Sequence, residues 1–162
     1  MSKKAMSRCL RAALAIGTVI LCAVFFFLLP EYGRVKATVD APEFAHVFWP
    51  CLIWAWAFAL PIFAALIPAW RLCSSIGKPD GAFTRANVRN LRIIAVLAFI
   101  VAVIFPLGMV IIGFLGAGSP GLTVIVTPTV IFACAAVGLV FLVLGRLLDE
   151  AVRLREENDL TI

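Results

Sequence analysis

With 162 residues the chain has the length of one domain, yet 64% hydrophobic against 14% charged residues leaves it without the surface of a soluble one. Soluble domains carry about 25% charged residues, and a domain this small exposes too much of itself to manage with so few. The net charge of +5 speaks for membrane insertion and contact with anionic lipid. So apolar a chain has no large basic face, and direct nucleic-acid binding is not expected.

Four runs without any Asp, Glu, Lys, Arg or His account for the excess: 12–29, 47–70, 93–115 and 122–145. About 20 helical residues cross roughly 30 Å of hydrocarbon. The prediction is an all-α integral membrane protein: a single four-span domain over 1–162, a four-helix bundle whose fourth helix extends as an amphipathic tail over 146–162. Lys3, Lys4, Arg8 and Arg11 precede the first run, and Arg34 and Lys36 follow it. Arg71, Lys78, Arg85, Arg89 and Arg92 lie between the second and third runs, and Arg146, Arg153 and Arg155 after the fourth. Twelve basic residues thus fall on one side and two on the other. Basic segments resist translocation, which predicts a multi-pass membrane protein with both ends cytoplasmic.

In the first run, 18 apolar residues exceed the roughly 7–15 of a signal-peptide core. It closes on Phe25-Phe26-Phe27-Leu28-Leu29-Pro30 without a small-x-small cleavage site, and bulky Leu21 precedes Cys22 where a lipoprotein signal has a small residue. It reads as a retained anchor. In the second run Trp49 and Trp70 stand 21 residues apart, about 31 Å along a helix, one in each interfacial belt. Trp54 and Trp56 lie deeper, facing lipid or a neighbouring helix.

Prolines interrupt three runs, at Pro61 and Pro68, Pro106, and Pro128, where Thr123, Thr127 and Thr129 could satisfy freed carbonyls. Small residues four apart (Ala13 and Gly17, Ala55 and Ala59, Ala65 and Ala69, Cys134 and Gly138) allow close helix approach, within one chain or along a homo-oligomer seam.

Chemistry-bearing patterns are missing. His46 is the single histidine, with Glu43 three residues before it, and reads as half of a polar interfacial pair. No catalytic, cofactor-binding or metal-ligating constellation is expected. Cys9, Cys22, Cys51, Cys73 and Cys134 show no C-x-x-C spacing and read as free thiols. The glycine-rich stretch 116–121 is a turn between spans. Without ionisable residues in the runs, a proton or ion path has nothing to work with.

The polar segments are better patterned. Lys78-Pro79-Asp80-Gly81 forms a turn, and Thr84 caps a helix entering the third run. Arg85, Arg89 and Arg92 then share one face, suited to anionic headgroups or to a protein, beside an apolar stripe of Val88, Leu91 and Ala95. In the tail, Leu144, Leu147, Leu148, Ala151 and Leu154 recur on one helix face. Arg146, Asp149, Glu150, Arg153, Glu156 and Glu157 line the other, with Arg146–Glu150, Asp149–Arg153 and Arg153–Glu157 spaced for pairing. Acidic residues outnumber basic ones five to three from Arg146 onward. An anionic membrane repels such a helix, so its apolar stripe is predicted to pack on protein.

The run Gly81-Ala-Phe-Thr-Arg-Ala-Asn-Val-Arg-Asn-Leu-Arg92 and the ending Leu154-Arg-Glu-Glu-Asn-Asp-Leu-Thr-Ile162 resemble the bacterial membrane family known as domain of unknown function 2975. Phe83, Thr84, Asn87, Val88 and Leu91 match its intracellular motif, and Glu156, Glu157, Asn158, Asp159, Leu160 and Thr161 its terminal one. Ala82 stands where the family often has proline. The resemblance implies four spans and a common gene neighbour, a small helix-turn-helix regulator. The expectation is therefore a non-enzymatic protein of a bacterial inner membrane that binds a cytoplasmic partner through Phe83, Thr84, Arg85, Asn87, Val88, Arg89, Leu91 and Arg92 together with Leu147, Leu148, Ala151, Leu154, Glu156, Glu157, Asn158 and Asp159. A transport or immunity-type protein handling an apolar compound or peptide is the rival, and a membrane enzyme comes third.

Overall fold

The structure, a computed structural model, describes residues 3–40, 42–76, 83–116 and 120–159. All regular elements among them are helical: α1 (Lys3–Ala23), α2 (Leu29–Val35), α3 (Phe48–Ser75), α4 (Arg85–Phe114) and α5 (Pro120–Asp159). Four helical stretches, 5–39, 45–75, 85–114 and 123–158, are long and apolar enough to cross a membrane. The 40 residues of α5 reach about 60 Å, roughly twice the hydrocarbon thickness. Its residues after Gly145 therefore continue past the apolar run.

The first helix does not stop at the end of its apolar run. A π-helical turn, Val24–Leu28, leads directly into α2, and a second, Lys36–Asp40, extends it further. The wider π turn makes room for Pro30, which sits in the first turn of α2 where a missing N–H and a fixed φ are tolerated. One carbonyl is nevertheless stranded. Leu29 N–H reaches back to Val24 O, and the next residue, Pro30, has no N–H to offer Phe25 O. The Trp56 indole Nε1–H of α3 donates to Phe25 O at 3.4 Å. Trp56 thus faces the neighbouring helix and ties the second span to the first.

Substantial packing joins α1 to α3, α3 to α4 and α4 to α5 among the described residues. The helices stand in chain order as a row rather than closing into the expected four-helix bundle. Outer faces of the row are apolar: Ile16, Val19, Phe27, Leu60, Val124 and Phe132 are all well exposed. Such faces suit lipid, which solvates a hydrocarbon surface as well as protein does.

Small residues bring the middle helices close. Ala55 and Ala59 are buried as their spacing predicts. On α5, Gly138 of the predicted Cys134/Gly138 pair lies against α4, as does Gly145 seven residues further on. A Cβ at Gly138 would meet the Phe99 ring at 3.0 Å, and one at Gly145 would meet Leu91 Cβ at 3.6 Å. Gly108 of α4 lies under Trp54, whose indole occupies the place of a glycine Cβ. Trp54, Phe58 and Phe105 complete this contact as an aromatic triad, with ring centroids 5.4–6.1 Å apart. Gly17 faces open space and Ala13 is exposed, so this pair packs on no other helix among the described residues.

Two expectations about hydroxyl and imidazole partners change. Thr129 Oγ1 donates to Ile125 O at 2.8 Å, not to the Val124 carbonyl that Pro128 leaves without its helical donor, and Thr127 Oγ1 is buried without a partner. His46 Nδ1 lies 3.0 Å from the backbone oxygen of Glu43 rather than pairing with its carboxylate. The cysteines Cys9, Cys22, Cys51, Cys73 and Cys134 are free thiols. The predicted turn at 78–81 lies outside the described residues, as do the middle residues, 117–119, of that predicted at 116–121.

Candidate functional site at the arginine end

The start of α1, the end of α3, the start of α4 and the end of α5 meet at one end of the row. A helix leaves its last four carbonyls unpaired, and two of those of α3 find side chains here. Ser7 Oγ, 2% exposed, donates to Cys73 O at 2.7 Å, and Ser75 Oγ donates to Leu72 O at 2.7 Å. Asn87 Nδ2 of α4 then donates to Ser75 Oγ at 2.8 Å. Thr84, in extended conformation, caps α4 by accepting from Asn87 N–H. Three helices are thereby fastened by short polar side chains. Thr84 and Asn87 carry a family motif; Ser7 and Ser75 gave no sequence signal, because a lone serine beside an apolar run reads as an ordinary surface residue.

The fourth helix joins through charge. Arg85, the first residue of α4, grips Glu156 of α5 with Nε to Oε1 at 3.0 Å and Nη2 to Oε2 in a two-point fork. Both groups lie beyond the uncharged runs. The hydrogen bond from Arg85 holds the Glu156 carboxyl below its usual range, and the same bond, followed by the attraction of that carboxylate, raises Arg85. The pair is exposed, 75% and 47% at the side chains, so it orients the two helices more than it stabilises them. One turn along α5, Arg153 Nε donates to Glu157 Oε1 at 2.9 Å, as the spacing predicted. Between α4 and the tail runs a groove of about 420 Å³, lined by Arg85, Arg146, Asp149, Glu150, Val152 and Arg153. Three guanidinium groups facing two carboxylates suit a polypeptide of mixed charge. No group of three His, Cys, Asp or Glu side chains able to hold a metal occurs among the described residues.

The structure divides the predicted interaction residues into an inner and an outer set. Asn87, Val88 and Leu91 are buried, Val88 and Leu91 beneath Gly145 of α5. They hold the end together and are closed to a partner. Arg85, Arg89, Arg92, Phe83, Leu147, Leu154, Glu156, Glu157 and Asn158 are exposed; Thr84, Leu148 and Ala151 are half-buried, and Asp159 closes α5. The tail turns Gly145 and Val152 toward α4, Val152 being 5% exposed. Leu147 and Leu154, 58% and 62% exposed, point away from it. The leucine spacing drew attention to the outer stripe. Gly145 and Val152, seven residues apart, mark the true contact, but glycine carries no hydrophobic signal.

Length, apolarity and the row of lipid-suited faces define a multi-pass membrane protein of four spanning helices. The chain belongs to the family described as protein of unknown function (DUF2975), which matches residues 33–162. It is also 29% identical over 155 residues to the uncharacterized membrane protein YoaS of Bacillus subtilis (strain 168), covering 94% of this chain and 95% of that one. No solved structure matches it.

Proposed function

We infer that this is a non-enzymatic protein of a bacterial inner membrane whose arginine end faces the cytoplasm and docks a protein partner, a small helix-turn-helix regulator. The carrying observation is the outward stripe of Leu147 and Leu154, exposed on a helix that projects past its apolar run while Val152 secures its other face. Beyond the hydrocarbon, exposed leucines framed by charges favour a protein contact. Arg89, Arg92 and the mixed-charge groove would set orientation, as rim charges do at interfaces. The positive-inside rule supplies the side, and the outward Ala13/Gly17 pair would serve a homo-oligomer seam. The test is whether a small helix-turn-helix protein co-purifies with the chain from native membranes. Leu147→Glu with Leu154→Glu should cut capture at least tenfold while leaving membrane insertion intact. Undiminished capture by the inserted double variant would show that the stripe is not the docking face.

A further inference from the structure

Charge is matched along one edge of the arginine end and unmatched along the other. On the α4/α5 edge, Arg85 meets Glu156 and Arg153 meets Glu157. On the other edge, α1 and α3 carry Lys3, Lys4, Arg8, Arg11 and Arg71 between them and not one Asp or Glu. Among the described residues, the carboxylates of this end belong to α5, which packs chiefly on α4. Neither Arg8 nor Arg71 has a hydrogen-bond or ion-pair partner among those residues. Arg11 gives only its Nε, to Ser7 O of its own helix at 3.4 Å, and a guanidinium has five N–H donors to place.

Along this edge a groove of about 280 Å³ runs between α1 and α3, lined by Leu14, Thr18, Leu66, Ile67, Trp70 and Arg71. Ser7, Arg11, Leu14 and Thr18, spaced 4, 3 and 4 apart, share one face of α1. Ser7 of that face reaches Cys73 O of α3, so Arg11 comes to the head of the groove from α1 as Arg71 does from α3. Trp70 marks the interfacial level there. Leu66 lies about 6 Å further in, and Thr18 about 10 Å past Arg11. Thr18 commits its hydroxyl to Leu14 O at 2.8 Å, so below the arginines the walls offer only hydrocarbon.

We propose that the α1/α3 groove binds an anionic phospholipid, its phosphodiester between Arg71 and Arg11 and one acyl chain against Leu14, Leu66 and Ile67. Guanidinium forks match phosphate oxygens, and basic pockets between spanning helices suit acidic head groups. The missing carboxylates select the lipid's net charge. A zwitterionic lipid brings its own ammonium to a corner that already holds unmatched cations, whereas an anionic one supplies the counter-charge. A soluble anion would leave the apolar walls unused. The site shares no residue with the docking face on α4 and α5, and it stands or falls independently of that reading.

The full chain in nanodiscs of phosphatidylcholine provides the test, with brominated phosphatidylglycerol as probe because bromine quenches a nearby indole. The share of quenching that Trp70→Phe removes reports the groove. With two arginines engaged, that share should favour brominated phosphatidylglycerol over brominated phosphatidylcholine about tenfold or more at equal mole fraction. Unbrominated phosphatidylglycerol should relieve it. Arg71→Gln, at an exposed position, should cut the preference about fivefold, and Arg11→Gln in addition should erase it. Arg89→Gln with Arg92→Gln removes the same charge from α4 and should leave the preference unchanged. Equal quenching by the two lipids overturns the proposal, as does a preference that survives the loss of Arg71 and Arg11 or falls equally with Arg89 and Arg92. Relief by soluble glycerol phosphate would assign the arginines to a free anion. Quenching lost in nanodiscs that hold two copies of the chain would assign the groove to a second copy, and either result refutes the lipid.

Discussion

Replacing Trp56 by Phe removes one N–H and leaves an aromatic ring, which makes it a probe of the stranded carbonyl at Phe25. Leu29 N–H is committed to Val24 O, and Pro30 supplies none, so Trp56 Nε1 is the donor that satisfies Phe25 O. A carbonyl left without a donor where no water reaches it costs about 1–3 kcal/mol. The bond is long at 3.4 Å, and hydrogen bonds between membrane helices average about 0.6 kcal/mol, so a loss near 1 kcal/mol is expected, about fivefold in the folded-to-unfolded ratio. Phenylalanine also alters the contact with Phe26, whose ring lies 6.5 Å from that of Trp56, so the single variant does not isolate the bond. The cycle with Pro30→Ala does. Alanine restores an N–H at the position where the helix lacks one, and in that background Trp56→Phe should lose only its packing share. Reversible unfolding by dodecyl sulfate in lipid–detergent bicelles, followed by helicity, gives the four stabilities. A coupling of about 0.5–1 kcal/mol is expected. Equal costs of Trp56→Phe in both backgrounds would refute the account of why the first helix passes through Pro30.

Three further outcomes follow from the packing and charge of the row. Gly108→Ala forces a methyl into the Trp54 indole and should destabilise by about 1–3 kcal/mol; Gly145→Ala makes an ordinary contact 3.6 Å from Leu91 Cβ and should be neutral or gain up to about 1 kcal/mol of helix propensity, a contrast readable in the same bicelle assay. Val152→Asp should loosen the tail from α4 and raise its amide exchange, whereas Leu147→Asp should not, and equal exchange in the two would show that the inner and outer faces are misassigned. Because the Glu156 carboxyl is held below its usual range by Arg85, the fork is complete above the ordinary glutamate pKa of about 4.3 and is lost as pH falls through the lowered value. Spin labels at Phe83 and Asn158 in a cysteine-free chain should hold one distance from pH 8 to 5 and separate only in stronger acid, and a separation already complete at pH 6 would contradict the pairing.

Much of this protein is legible without a structure. Uncharged runs of at least 18 residues must be helices in hydrocarbon, because no water is there to satisfy a backbone in any other form. Thr84 announces the start of α4 through local hydrogen bonding, and Arg153 and Glu157 meet because they share a helix face. These features depend on neighbours in the chain. What faces what depended on tertiary structure. In water the buried face of a helix is the apolar one, but a lipid-facing surface is as apolar as a protein-facing one, so hydrophobicity does not mark the interior of a membrane protein. That is why the four spans could be counted from the sequence yet not arranged. On the tail, past the apolar run, Leu147 and Leu154 drew the eye while Gly145 and Val152 made the contact because glycine carries no hydrophobic signal, and the same contact closed Val88 and Leu91 to a partner. Contacts such as Trp54 over Gly108, or the Trp56 indole at Phe25 O, join residues 54 and 31 positions apart in the chain, and shape and unmet hydrogen bonds decide them where apolarity is everywhere the same.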